Sequence, residues 1–114
     1  YATEGQDLDA YSEITLKDDD REDPLITEDG LVELNILSHD EYKEIIEENK
    51  KVAKLVKDIL AEHGLDLYDI KFEWGRLAST GEVVLIDEVS GGNMRAYKDG
   101  TYIEPMELSK YLGL

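Results

Sequence analysis

The sequence predicts an α+β lobe in which an antiparallel sheet is covered by one long helix. Two observations carry this expectation. Tyr42, Ile45, Ile46, Val52, Val56, Ile59 and Leu60 recur at helical spacing across residues 39–63, so one apolar stripe runs between Glu/Lys-rich faces. After it come short segments that alternate with period two or run apolar between glycine turns, as strands do. The 114 residues are 41% hydrophobic. That suffices for one lobe, residues 1–114, with a core of its own, and is too apolar for wholesale disorder.

Residues 1–11 are polar, with two tyrosines and no period, and read as a linker or mobile loop. Ser12-Glu13-Ile14-Thr15-Leu16-Lys17 alternates weakly and predicts a short strand. Asp18 to Pro24 is an acidic turn closed by proline. Residues 25–37 hold Leu25, Ile26, Leu31, Val32, Leu34, Ile36 and Leu37, too many apolar side chains for a free loop, so they should cover a core edge. Ser38 and Glu41 predict a capping box, each side chain bonding the other's backbone N–H. Gly64 should stop the helix. Twenty-five residues rise about 37 Å, enough to cross a sheet. Strands follow at 65–75 and 82–89, then a small hairpin of 94–98 with 101–103 around Asp99-Gly100. Pro105 opens a short helix over 105–111.

Within the strand 69–74, Asp69, Lys71 and Glu73 share one face, and Ile70, Phe72 and Trp74 the other. The second strand, apolar from Val83 to Ile86, ends in Asp87-Glu88. Carboxylates gathered from neighbouring strands around one lysine repel unless a cation joins them, which suits a magnesium–nucleotide site. The bland alternatives are a solvated strand face and a strand-end turn. Register separates them. With partner numbers summing to an even number, Glu73 lies opposite Val83, Lys71 opposite Leu85 and Asp69 opposite Asp87; a one-residue slip sends Asp87 to the other face. The metal reading requires the even register, and the sequence leaves both open. Gly91-Gly92 could admit a phosphate to the backbone but is more simply a turn. Arg95 could hold a phosphate or carboxylate, or be a surface arginine. The acidic run 18–23 is most simply solvated. His39 and His63 have no partners at zinc-ligand spacing. Trp74 and Tyr68 are most simply core.

Twelve Lys+Arg against twenty-eight Asp+Glu leave a net charge of −16. Such a surface disfavours nucleic acid and anionic membranes and tolerates divalent cations. With no cysteine, disulfides, thiolate zinc sites and cysteine nucleophiles are excluded. No apolar run approaches the ~20 residues of a membrane span, and no signal peptide is visible, so a cytoplasmic setting is the default. The chain opens at Tyr1 rather than methionine, which predicts a processed or partial chain.

In order along the chain, the residues resemble the C-terminal part of the SAICAR synthetase family. Glu4-Gly5-Gln6-Asp7-Leu8 is similar to its EGxxL segment. Ile14 to Asp19 followed by Asp23-Pro24-Leu25-Ile26 resembles its K-[ND]-D and DP motifs. Leu67 to Gly75 resembles D-[FI]-K-x-E-[FW]-G. Gly81 to Leu85 with Asp87-Glu88-Val89-Ser90 resembles G-x-[IV]-V-L-x-D-E-[IVF]-S.

The resemblance implies a lobe of ATP-grasp type and a ligase that joins L-aspartate to the carboxylate of CAIR, consuming ATP with Mg2+ through an acyl phosphate. Glu73 and Asp87 would be metal ligands beside the ATP phosphates. Lys71 would face the transferred phosphoryl group. Asp69 and Glu88 would support metal and substrate, with Ser90 and Arg95 by the phosphoribosyl group or the amino acid, and Lys17 and Asp23 near the substrate cleft. The family's usual Pro-Asp after the serine is Gly91-Gly92 here, so a related ligase acting on another carboxylate stays open, as does a non-catalytic acidic interaction module. The family's N-terminal lobe has no counterpart in the match. This piece alone should therefore lack catalysis and need that lobe as its partner. Assembly into a homo-oligomer is left open.

Overall fold

The computed structural model describes residues 3, 6, 8–86 and 93–113. They fall into two compact units, one of Asp7–Lys51 and one of Tyr1–Gln6 with Val52–Leu114. Helix α2 (His39–Glu62) gives its first half to one unit and its second half to the other.

In the unit Asp7–Lys51, the expected strand at 12–17 is reduced to a single antiparallel bridge, Thr15 with Leu25. Leu16 N–H donates to the Pro24 carbonyl at 3.0 Å and Ile26 N–H to the Ile14 carbonyl at 3.1 Å. Ser12, Ile14 and Leu16 are half-buried while Glu13, Thr15 and Lys17 are exposed. The alternation is therefore real, but proline at 24 has no N–H with which to lengthen the ladder. The acidic turn is a 3-10 turn, Asp19–Arg21.

Within the apolar segment 25–37, Glu28–Glu33 form a helix, α1, that periodicity does not reveal. Thr27 caps it, its Oγ1 accepting from Gly30 N–H at 3.1 Å. Asn35, at φ 55°, ends it. There Ile36 N–H reaches the Leu31 carbonyl at 2.9 Å and Asn35 N–H the Val32 carbonyl at 3.0 Å, the paired bonds of a Schellman end. Six residues are too few for periodicity to reveal the helix; its caps were the available signal. Leu31 and, from α2, Ile45 are the buried apolar side chains of this unit.

The start of α2 is as expected. Ser38 N–H donates to Glu41 Oε1 at 2.9 Å, and Glu41 N–H to Ser38 Oγ at 3.1 Å. At its far end Gly64 takes φ 73°, Leu65 N–H reaches back to the Leu60 carbonyl and Gly64 N–H to the Ala61 carbonyl, both at 3.0 Å. This Schellman end reverses the chain so that Leu60 and Leu65 enter the same core.

That core belongs to the second unit. β1 (Asp66–Ile70) pairs with β4 (Met94–Lys98), which pairs with β5 (Thr101–Ile103), all antiparallel, in the order β1-β4-β5. The expected Asp99-Gly100 hairpin joins β4 to β5, with Lys98 opposite Thr101. Both turn residues have positive φ, 51° and 80°, as a two-residue type I′ turn requires. Leu60, Leu65, Ala96 and Leu108 form the buried cluster, flanked by Val56, Leu67, Met94, Ile103 and Leu112. Leu108 comes from α3 (Pro105–Tyr111), the expected C-terminal helix. The cover of this sheet is therefore shared between the last turns of α2 and α3, rather than supplied by one helix along its length.

The expected single strand 65–75 is two strands. β1 runs out at Ile70, after which Lys71 N–H bonds the Asn93 carbonyl at 2.6 Å. β2 (Trp74–Arg76) then pairs with β3 (Val83–Leu85) in a separate two-stranded sheet. Side-chain alternation records which face a residue occupies and not which strand it pairs with, so a change of partner is invisible to it. Among the described residues no helix is long and apolar enough to cross a membrane.

Three outcomes follow from these contacts. Leu60→Ala should cost about 2–5 kcal/mol of unfolding free energy in urea. Gly64→Ala should cost about 1 kcal/mol; a Cβ there meets nothing within 4 Å, so the whole effect is backbone strain. His39 Nδ1 lies 2.7 Å from Glu28 Oε2 on the surface, and this hydrogen bond, with the nearby carboxylates, raises the histidine above its ordinary 6.5. A raised value means that the pair stabilises fully below 6.5 and loses its effect as pH rises through the folded value. The melting-temperature gap between wild type and Glu28→Gln should therefore shrink on going from acid to alkaline pH.

Candidate functional site

The sheet formed by β1, β4 and β5 has two chemically different faces. Leu67, Ala96 and Ile103 are register neighbours and lie in or against the buried cluster. The opposite face is polar and aromatic. Between Leu67↔Ala96 and Asp69↔Arg95 the register shifts by one, so β1 carries an extra residue there, a β-bulge. The bulge puts Tyr68 and Asp69 on the same side and returns Ile70, opposite Met94, to the core side. Tyr68 stacks on Tyr97 with centroids 3.7 Å apart and planes at 15°. Tyr97 meets Tyr102 edge-on at 5.6 Å and 62°. Tyr68 is thus an exposed platform residue and not core, because the bulge turns it outward.

Beside these rings, Arg95 donates from Nε to Asp69 Oδ2 at 2.7 Å and from Nη2 to the same oxygen. The Asp69 hydrogen bond and charge hold the guanidinium protonated even more firmly than usual. Two of the five Arg95 N–H groups are thereby committed, and the plane of the fork is set. The structure brings together two residues that the sequence reading had placed near the substrates. The tyrosine platform was missed; its signal was Arg95 and Tyr97 two apart on one strand, hence on one face.

Lys71 and Glu73 lie on the connection from β1 to β2. Lys71 is exposed and Glu73 half-buried. The Glu73 carbonyl accepts from Ile86 N–H at 2.9 Å, which prolongs the β2–β3 ladder by one bond. The ladder's register is Trp74↔Leu85, Gly75↔Val84 and Arg76↔Val83. Each pair sums to 159, an odd number, so the even register that the metal reading required is not the one formed. Glu73 is aligned with Ile86 rather than Val83. The six-residue connection 77–82 sets this register: Leu77 N–H bonds the Glu82 carbonyl and Gly81 N–H the Leu77 carbonyl, both at 2.8 Å. Asp87, Glu88 and Ser90, with Gly91-Gly92, lie outside the described residues. Among the described residues no three His, Asp or Glu side chains gather as a metal cluster.

Lys17 and Asp23 belong to the other compact unit. Lys17 is exposed. Asp23 has structural work of its own. Its Oδ1 accepts from Asp18 N–H at 2.8 Å, its N–H donates to the Asp18 carbonyl at 3.0 Å, and its φ is 49°. An aspartate tolerates that left-handed geometry better than most residues, so the Asp-Pro pair closes the acidic turn whatever else it does.

A family model described as SAICAR synthetase matches residues 2–111. The phosphoribosylaminoimidazole-succinocarboxamide synthase of Clostridium tetani is 56% identical over 112 residues, covering 98% of this chain and 49% of that protein. The enzyme of the same name from Caldivirga maquilingensis is 37% identical over 92 residues, 81% of this chain and 38% of that protein. Among solved structures, a SAICAR synthetase in complex with ADP superposes with a TM-score of 0.72 at 35% identity, over 81% of this chain and 40% of that one. A phosphoribosylaminoimidazole-succinocarboxamide synthase from Ehrlichia chaffeensis gives a TM-score of 0.80 over 89% of this chain and 50% of that one, at 20% identity, a likeness of fold. The chain spans about half the length, or less, of these relatives. With the strand motifs, the helix between them and the fold in agreement, the chain belongs to the SAICAR synthetase family.

Proposed function

We propose that this chain is the magnesium–ATP lobe, of ATP-grasp type, of a ligase that joins L-aspartate to the carboxylate of CAIR, giving SAICAR, ADP and phosphate. The observation that carries this reading is the 56% identity to the Clostridium tetani synthase across 98% of the chain. The 35%-identical SAICAR synthetase in complex with ADP supports the nucleotide.

In this reading the CAIR carboxylate attacks the γ-phosphorus of ATP, and ADP leaves. The aspartate amine then attacks the acyl carbon, inorganic phosphate leaves, and the amine gives up a proton as the amide forms. Lys71 offsets the negative charge that grows on the transferred phosphoryl group. Arg95, its plane set by Asp69, presents its remaining N–H donors to a phosphate or carboxylate of the substrates. Glu88 and Ser90 support the substrates, and the family resemblance offers Lys17 and Asp23 as further substrate-side residues. Magnesium binds through one or two carboxylates together with phosphate and water oxygens. Glu73, half-buried just ahead of β2, suits that donor set; Asp87 is offered as the second carboxylate by the family resemblance alone, since the odd β2–β3 register removes the strand-pairing argument for it. When bound, the ion neutralises phosphate charge.

The direct test is a chimera in which this chain replaces the matched segment of the Clostridium tetani synthase. It should bind magnesium–ATP in calorimetry and form SAICAR; a folded chimera that does neither overturns the proposal. Glu73→Gln should weaken magnesium–nucleotide binding by roughly 10-fold or more, the scale of a lost contact to a charged group. Arg95→Lys keeps the charge but loses the fork, and should raise the KM for CAIR or aspartate by about 10-fold while leaving ATP binding nearly unchanged.

A further inference from the structure

The polar face of the β1-β4-β5 sheet carries a row of three tyrosines that burial does not account for. Tyr68 is 37% exposed and Tyr102 38%. Each comes from a different strand, with Tyr97 of β4 between them: Tyr68 stacks on Tyr97 at 3.7 Å, and Tyr102, opposite Tyr97 in the register, meets it edge-on. Arg95 stands two residues before Tyr97 on the same strand and therefore on the same face. Tyr68 also occupies a special place in β1. Every other residue of Asp66–Ile70 has a partner in β4, and Tyr68 has none. It is the extra residue of the bulge, and a bulged residue has no ladder position of its own to hold it. Its ring stack supplies that hold from the side chain. Asp69 follows directly, and its carboxylate takes the Arg95 Nε hydrogen bond at 2.7 Å. Were the extra residue to move one place along β1, Asp69 would turn towards the other face.

We infer that Tyr68 and Tyr97 are positioning residues for Arg95: their stack fixes the bulge of β1, the bulge fixes Asp69, and Asp69 sets the guanidinium. The inference rests on the proposed function, in which Arg95 meets a phosphate or carboxylate of the substrates. The two rings reach the substrates only through Arg95. A stack that served stability alone would lower the melting temperature when broken and leave the guanidinium as it was.

The test places substitutions in the chimera and reads two quantities. One is the exchange of the Arg95 Nε–H with water by heteronuclear NMR, the signal being the one that Arg95→Lys removes. The other is KM against kcat for CAIR and aspartate. Tyr68→Thr removes the ring and keeps a strand-favouring residue. It should speed the exchange, and raise the KM of whichever substrate Arg95 holds, each by roughly 3- to 10-fold, the scale of one aromatic pair, with kcat and ATP binding close to wild type. Tyr68→Phe keeps the ring and should restore both. Tyr97→Leu breaks the stack from the β4 side, should act as Tyr68→Thr does, and decides the matter if Tyr68→Thr does not fold. In an Asp69→Asn background Tyr68→Thr should add almost nothing, because the route through the carboxylate is already cut. A lowered melting temperature with exchange and KM unchanged overturns the inference, and so do effects of Tyr68→Thr and Asp69→Asn that multiply. A folded chimera that forms no SAICAR, yet whose Arg95 exchange responds to Tyr68→Thr, sinks the proposed function and leaves the positioning standing.

Discussion

The point on which the second unit depends is the reversal at Gly64. Leu60, on the last full turn of α2, and Leu65, the residue leading into β1, are both nearly fully buried and meet Ala96 and Leu108. Each buried leucine contributes about 1.5–3 kcal/mol relative to exposure. The Schellman bonds and the positive φ of Gly64 bring two such side chains, five positions apart, into one cluster. β1 is thereby launched beside β4, and Asp69 and Arg95 are brought opposite each other by that pairing. The core is small, and helix capping carries a correspondingly large share of the architecture.

From β1 the bulge at Tyr68 determines the chemistry of the exposed face. Without the extra residue, Asp69 would point to the core side and Ile70 outward. With it, Asp69 meets Arg95 across the strands and Tyr68 lies on Tyr97. The pair is exposed, and its contribution to stability is accordingly small. Its consequence is orientation, since a guanidinium held on one carboxylate oxygen presents its other donors in a fixed plane.

The change of partner between Ile70 and Trp74 has the opposite character. It divides an apparently continuous strand between a three-stranded sheet with a core and a two-stranded hairpin without one. Lys71 and Glu73 sit on that division. That short connection is held at both ends by backbone hydrogen bonds, Lys71 N–H to the Asn93 carbonyl and Ile86 N–H to the Glu73 carbonyl.

What the residues determined alone were the elements whose causes are local. The long helix follows from its periodic stripe, and its ends from the Ser38–Glu41 box and Gly64; the β4–β5 turn follows from Asp99-Gly100, and α3 from Pro105. Each is specified by neighbours a few positions apart. The family was legible too, because its strand motifs are contiguous. The tertiary structure decided the rest. The odd β2–β3 register, the bulge and the switch of partner after Ile70 depend on contacts between residues distant in sequence, and alternation is the same whichever strand lies alongside. Helix α1 was hidden for another reason: six residues carry less than two turns of pattern, so only its caps and the burial of Leu31 define it.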